Sequence, residues 1–121
     1  MNDARMHEMY CALYETAGAG RRLRPLIQPL LVKPADARAW LEKEGADAVC
    51  GSGLAEYGEE IGPTIGIDVL PIPPEMILTL ARLGWMDEDE GRTLMPALAA
   101  PLYVRNRVAL TIEERARGER L

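Results

Sequence analysis

Phenylalanine is absent from this 121-residue sequence, and histidine and serine occur once each, as His7 and Ser52. Each shortage excludes something. With no Phe and aromatics at 5%, the core must be filled by Leu, Ile, Val, Met and Ala, and Met packs adaptably but specifies geometry weakly. One histidine rules out any His–His metal motif within the chain, HExxH included. A Ser-His-Asp set would have to pair His7 with Ser52; composition permits this and no spacing supports it. The alternative is an ordinary strand histidine. Cys11 and Cys50 lie far apart without CxxC spacing, each in an apolar stretch. That pattern predicts buried free thiols in a reducing compartment rather than a disulfide. No apolar run approaches the ~18 residues of a membrane span, and no leader pattern opens at Met1. The expectation is a cytoplasmic protein with no membrane partner.

What is present is a chain of single-domain length, 48% hydrophobic, which is too apolar to be disordered. The net charge of −5 argues against a self-sufficient nucleic-acid binder. Residues 42–92 hold twelve acids against three bases, a net of −9. From Arg105 onward five arginines face three glutamates, a net of +2. An acidic solvated surface accounts for the first imbalance.

Residues 6–14 alternate in character, with Met9, Cys11 and Leu13 on the more apolar side, and predict a strand. Residues 17–20, Ala-Gly-Ala-Gly, predict a turn. Residues 24–32 predict a second strand, demoted to a sheet edge by Pro25 and Pro29, so that the two form a hairpin. Pro34 suits a first helical position, Asp36 complements the dipole, Ala37, Trp40 and Leu41 share a face, and Gly45 is a stop. Residues 47–50 predict a short strand. A helix with Leu54, Tyr57 and Ile61 on one side follows, then a β-type run over residues 64–70. Pro73-Pro74 opens a second clear helix, with Ile77, Leu78, Leu80, Ala81 and Leu83 as its apolar face and Gly84 as its end. Residues 103–110 predict a last extended segment. The organisation is one lobe over residues 1–112 and a charged tail over residues 113–121, without internal repeats. Hairpin, helix, strand and helix in that order predict an α/β or α+β fold with a partly mixed sheet.

Few residues offer chemistry. Gly51-Ser52-Gly53 falls between a predicted strand and a predicted helix, where backbone N–H groups can meet an anion. The glycines are too few for a Walker loop or a GxGxxG fingerprint, and a plain strand-to-helix turn is the alternative. Residues 87–90 are four consecutive acids without calcium-loop spacing. Arg105 and Asn106 follow the hydrophobic Tyr103-Val104 step. Arginine is suited to planar recognition of carboxylate or phosphate, so Arg105 either meets a partner or locks the tail onto its own sheet through carbonyl and carboxylate contacts.

Four segments carry a resemblance. Asp3-Ala4-Arg5-Met6 with Tyr10 is similar to the "DARM..(V)Y" strand that opens the second lobe of the TsaB (YeaZ) family. Gly51-Ser52-Gly53 with Tyr57 resembles that family's "GxG…Y" turn, with Ser52 where Asp is common. The helix after Pro73 resembles its "P…ML..LA" helix. Pro101-Leu102-Tyr103-Val104-Arg105-Asn106 with Val108-Ala109 resembles its closing "P.YLRN.VA" signature. Order and spacing are kept over nearly the whole chain, which covers only the C-terminal half of the family.

The resemblance implies an RNase H-like lobe of the actin-like ATPase superfamily, with the N-terminal lobe missing. It implies a non-catalytic scaffold with no cofactor. That scaffold supports a TsaD-like catalytic subunit, alongside a TsaE-like ATPase, in making threonylcarbamoyladenosine next to the tRNA anticodon. Its motif residues here are Asp3, Arg5, Tyr10, Gly51, Gly53, Tyr103, Arg105 and Asn106. Loss of the other lobe implies weakened partner binding, and the apolar surface it uncovers favours self-association, a homodimer included. A glycoprotease-like metal-dependent hydrolase and a nucleotide-binding lobe are the alternatives.

Overall fold

The computed structural model describes residues 1–16, 18, 22–72, 74–105 and 112–118. Its first half is built on three antiparallel strands, β1 (Asn2–Asp3), β2 (Met9–Glu15) and β3 (Arg24–Val32), in the order β1-β2-β3. The predicted hairpin is therefore present, with Met9 opposite Val32 and Cys11 opposite Leu30. Its register slips between Cys11 and Leu13 and again before Tyr14. β3 lies at the sheet edge, where Pro25 and Pro29 remove ladder donors at least expense. Of the predicted turn over residues 17–20, only Gly18 is described, at φ 101°.

The strand expected from Met6 begins at Met9 instead. Arg5, Met6 and His7 all adopt left-handed backbone, with φ of 63°, 55° and 57°. This turn separates β1 from β2, so the Asp3-Ala4-Arg5-Met6 run is not one strand and His7 is not a strand histidine. Met6 is out of phase with Met9, Cys11 and Leu13, with His7 and Glu8 polar in succession, so the alternation breaks where the turn lies.

α1 (Pro34–Glu44) follows as predicted, with Pro34 at its start and Asp36 in its first turn. Gly45 ends it at φ 67°, donating to the Glu42 carbonyl while Ala46 donates to Leu41. That paired closure needs the left-handed conformation glycine adopts without steric penalty. β4 (Ala48–Val49), α2 (Ser52–Ile61) and β5 (Asp68–Val69) complete the ordered half, β4 and β5 pairing in parallel. The predicted strand over residues 64–70 shrinks to two residues. The two sheets meet where the Met1 nitrogen donates to the Cys50 carbonyl at 2.6 Å. The core is one cluster between hairpin and helices: Met9, Cys11, Val32, Ala37 and Ile61, flanked by Met1, Leu30, Trp40, Leu54 and Tyr57. The whole is a small mixed α/β domain.

The second half packs differently. α3 (Met76–Asp89) runs through Gly84 and into the acidic run, so that glycine does not end it. The Gly84 position faces open space, and one glycine costs a helix interior only ~1 kcal/mol. Pro73 lies outside the described residues. No residue of α3 is buried, so its expected apolar face is uncovered. The C-terminal end of α3 is pinned through Asp87, which meets the guanidinium groups of Arg22 and Arg92. Those two arginines, Arg22 foremost, hold its carboxyl down at about 2. A 3-10 turn (Pro96–Leu98) and a short α4 (Ile112–Ala116) follow, α4 spanning the expected boundary at residue 112. The predicted extended segment over residues 103–110 lies outside the described residues beyond Arg105. Among the described residues no helix is long and apolar enough to cross a membrane.

The cysteines correct one expectation. Cys11 is buried and Cys50 is exposed, both as free thiols. Burial pushes the Cys11 thiol up to about 11, which suppresses the reactive thiolate. A thiol-titrating disulfide reagent near neutral pH should therefore modify Cys50 in the native protein and Cys11 only after unfolding. Equal rates for both would mean the core is open.

Candidate functional site

The best-organised polar region joins β1 to the turn before α2. Gly51 takes φ 131° and ψ 163°, a conformation open to glycine. A Cβ there would stand 1.8 Å from the Met1 carbonyl oxygen. That close approach brings the first residues onto the helix start. The Gly53 N–H donates to the Met1 carbonyl at 3.2 Å. The Ser52 N–H donates to Asn2 Oδ1 at 3.2 Å, and the Asp3 N–H donates to Ser52 Oγ at 3.0 Å. Gly53 is buried, and a Cβ on it would meet Met9 Sδ at 2.7 Å. The N–H groups of Ser52 and Gly53 that would greet a phosphate are thus taken by protein acceptors. The turn behaves as the plain connection weighed against an anion site.

Asp3 is the hinge of this region. Its Oδ1 accepts from the Arg5 N–H at 2.9 Å and from the Tyr57 hydroxyl at 2.9 Å. The Arg5 backbone bond, then the Tyr57 bond, hold its carboxyl below the ordinary carboxylate range. The same carboxylate raises the Tyr57 hydroxyl. Non-helical backbone at Tyr57 (φ −121°, ψ 17°) bends α2 at this contact. His7 packs edge-on against the Tyr57 ring at 5.2 Å, with Nε2 2.8 Å from Glu60 Oε2. These two, with residues 55–60, line a shallow open depression on the acidic side of α2.

Arg105 closes the region from the far end of the sequence. Its Nη1 donates to the Ala4 carbonyl and its Nη2 to the Arg5 carbonyl, both at 3.1 Å. Nε and Nη2 reach Glu8 Oε2 at 3.1 and 2.5 Å, and Met6 Sδ lies 3.3 Å from Nη1. The Arg105 side chain is 11% exposed. Three consecutive left-handed residues cost on the order of 3–6 kcal/mol. The turn's own hydrogen bonds, Ala4 N–H to Glu8 at 2.9 Å and Glu8 N–H to Arg5 at 3.2 Å, offset part of that. The forked arginine supplies charge-assisted bonds of ~1.5–3 kcal/mol to the rest. Of the two roles open to Arg105, it takes the anchor.

Asp3, Arg5, Gly51, Gly53 and Arg105 thus converge, and Tyr10 lies opposite Asn2 in the β1–β2 ladder. Tyr103 does not join them: it is 79% exposed, whereas Val104 beside it is half-buried. Asn106 lies outside the described residues. Sequence reasoning missed Asn2 and Glu8, whose partners stand about 50 and 97 positions away. A single sequence carries no signal for such pairs. Among the described residues no group of three or more His, Cys, Asp or Glu side chains is placed to hold a metal ion. Comparison with known proteins gives no matching family model and no matching curated protein.

Two substitutions probe the arrangement. Gly51→Ala combines strain at a positive φ with a backbone clash, and should destabilise by about 3–5 kcal/mol in urea unfolding. A loss under ~1 kcal/mol would mean β1 is not seated on the turn. Arg105→Ala should cost ~2–3 kcal/mol, and Arg105→Lys should recover only part, since an ammonium cannot fork. Unchanged stability for both would return Arg105 to the role of an outward contact.

Proposed function

We propose that this chain is a non-catalytic scaffold module corresponding to the C-terminal lobe of a TsaB-like protein. In this reading it takes the RNase H-like form of the actin-like ATPase superfamily. It belongs to the machinery that makes threonylcarbamoyladenosine next to the tRNA anticodon, as a support for a TsaD-like catalytic subunit and a TsaE-like ATPase. The observation that carries the proposal is the meeting of its two most specific segments. Arg105, from the closing Pro-Leu-Tyr-Val-Arg-Asn run, binds the Ala4 and Arg5 carbonyls of the opening Asp-Ala-Arg-Met run across about 100 residues. Motifs kept for a common structural purpose are expected to touch in this way. Three antiparallel strands followed by helix, strand, helix, strand and helix are compatible with a mixed α+β lobe, the coarser form of this reading.

The alternatives draw less support. A metal-dependent hydrolase would have to assemble its centre without a second histidine. A nucleotide-binding lobe would need the N–H groups of residues 52 and 53, which face Asn2 and Met1. Deleting the gene for this chain in its host should deplete threonylcarbamoyladenosine from tRNA, read by mass spectrometry of tRNA nucleosides. These 121 residues by themselves should bind the host's TsaD-like subunit weakly or not at all in calorimetry. Unchanged nucleoside levels after deletion would overturn the reading.

A further inference from the structure

The strained turn at residues 5–7 is held from two directions. On one side Arg105 donates to the carbonyls of Ala4 and Arg5 and to the Glu8 carboxylate, so it brackets the turn at both ends. On the other side the turn reaches α2 by two routes. The Arg5 N–H donates to Asp3 Oδ1, the atom that also accepts from the Tyr57 hydroxyl. His7 stands edge-on to the Tyr57 ring and places Nε2 2.8 Å from Glu60 Oε2. Both routes end where non-helical backbone at Tyr57 bends the helix. Arg105 itself makes no hydrogen bond or ion pair to any described residue of α2.

The turn has a second conformation open to it. Left-handed backbone carries a bias of roughly 5- to 30-fold per residue against side chains such as those of Arg5 and Met6. Strained backbone persists only where its surroundings over-determine it, and the Arg105 fork is the part of those surroundings drawn from the far end of the chain. The closing segment gives that fork little other hold. Pro101, Leu102 and Tyr103 are exposed, and Val104 is half-buried.

From this geometry we infer that residues 5–7 are a two-state relay, through which the closing segment sets the bend of α2 and the depression lined by residues 55–60. With Arg105 seated, the turn stays left-handed, Asp3 is shared between Arg5 and Tyr57, and His7 stands against the Tyr57 ring. With Arg105 withdrawn, residues 5–7 relax toward extended backbone, the Arg5 N–H leaves Asp3, and His7 leaves Tyr57 and Glu60. Both routes to the bend then slacken together. Coupling between two sites is reciprocal, so a change at Tyr57 is felt at Arg105. The inference uses contacts within this chain and does not depend on the family proposed above.

Nuclear magnetic resonance of the purified chain, with a stability cycle, tests the relay. Tyr57→Phe keeps the ring and removes one hydroxyl, and should move the Arg105 Nε–H resonance. Arg105→Ala should move the His7 ring resonances and the Tyr57 amide. Adding Met6→Gly to Arg105→Ala should return them toward their parent positions, because glycine holds left-handed backbone without the fork. In urea unfolding, Arg105→Ala and Tyr57→Phe should depart from additivity by about fivefold or more in the unfolding equilibrium constant, whereas independent sites add within about twofold. If Arg105→Ala fails to fold, the Tyr57→Phe spectrum decides. An unmoved Arg105 Nε–H in Tyr57→Phe, unmoved His7 and Tyr57 signals in a folded Arg105→Ala, no return of those signals with Met6→Gly, or additivity within twofold would each overturn the inference.

Discussion

The ordered half of this protein depends on how closely the first three residues approach the turn before α2. Two sheets of three and two strands would otherwise be separate, since no ladder of main-chain bonds links them. Their junction is made by Met1 on Cys50 and Gly53, and by the reciprocal exchange between Asn2, Asp3 and Ser52. That exchange is possible only because residue 51 has no side chain to hold the two backbones apart. The same contact fixes Asp3, Asp3 fixes Tyr57, and Tyr57 carries the bend of α2. A backbone requirement at one glycine therefore propagates into the position of a whole helix.

Much of this was legible in the sequence, for reasons that can be named. The hairpin, the proline-opened α1 and its Gly45 stop rest on local rules, such as period-two alternation, missing donors and left-handed closure. Those rules act within a few residues and survive folding. The glycines on either side of Ser52 were noticeable but chemically ambiguous. Which acceptor meets their N–H groups is decided 50 residues away. The turn at residues 5–7 was hard to read, because Arg5 and Met6 are poor candidates for left-handed backbone, although His7 is a better one. What makes it tenable is Arg105, on the far side of the chain. Gly84 misled for the opposite reason: its helix penalty is small, and nothing packed beside it enforces a stop.

The distribution of burial is lopsided. Among the described residues none beyond Ile61 is buried, so the second half adds nothing to the enclosed core. Among the described residues its polar attachments include Arg22 with Asp87, and Arg105 with Glu8 and the Ala4 and Arg5 carbonyls. The first pair is half-exposed, so solvent screens it in part. The second is enclosed enough to matter, and it holds the segment before Asn106 to the body of the domain.

The span of the Arg105 contacts has a consequence for the order of events during folding. The hairpin and α1 close over short stretches of chain, whereas Arg105 must find carbonyls about 100 positions back. Long closures are entropically slow to reward and form late on the folding route. Interactions absent from the transition state leave the folding rate unchanged and slow the reverse step. The clamp thus acts as a latch in time: it has little part in reaching the native state and a large part in how long the strained turn at residues 5–7 endures.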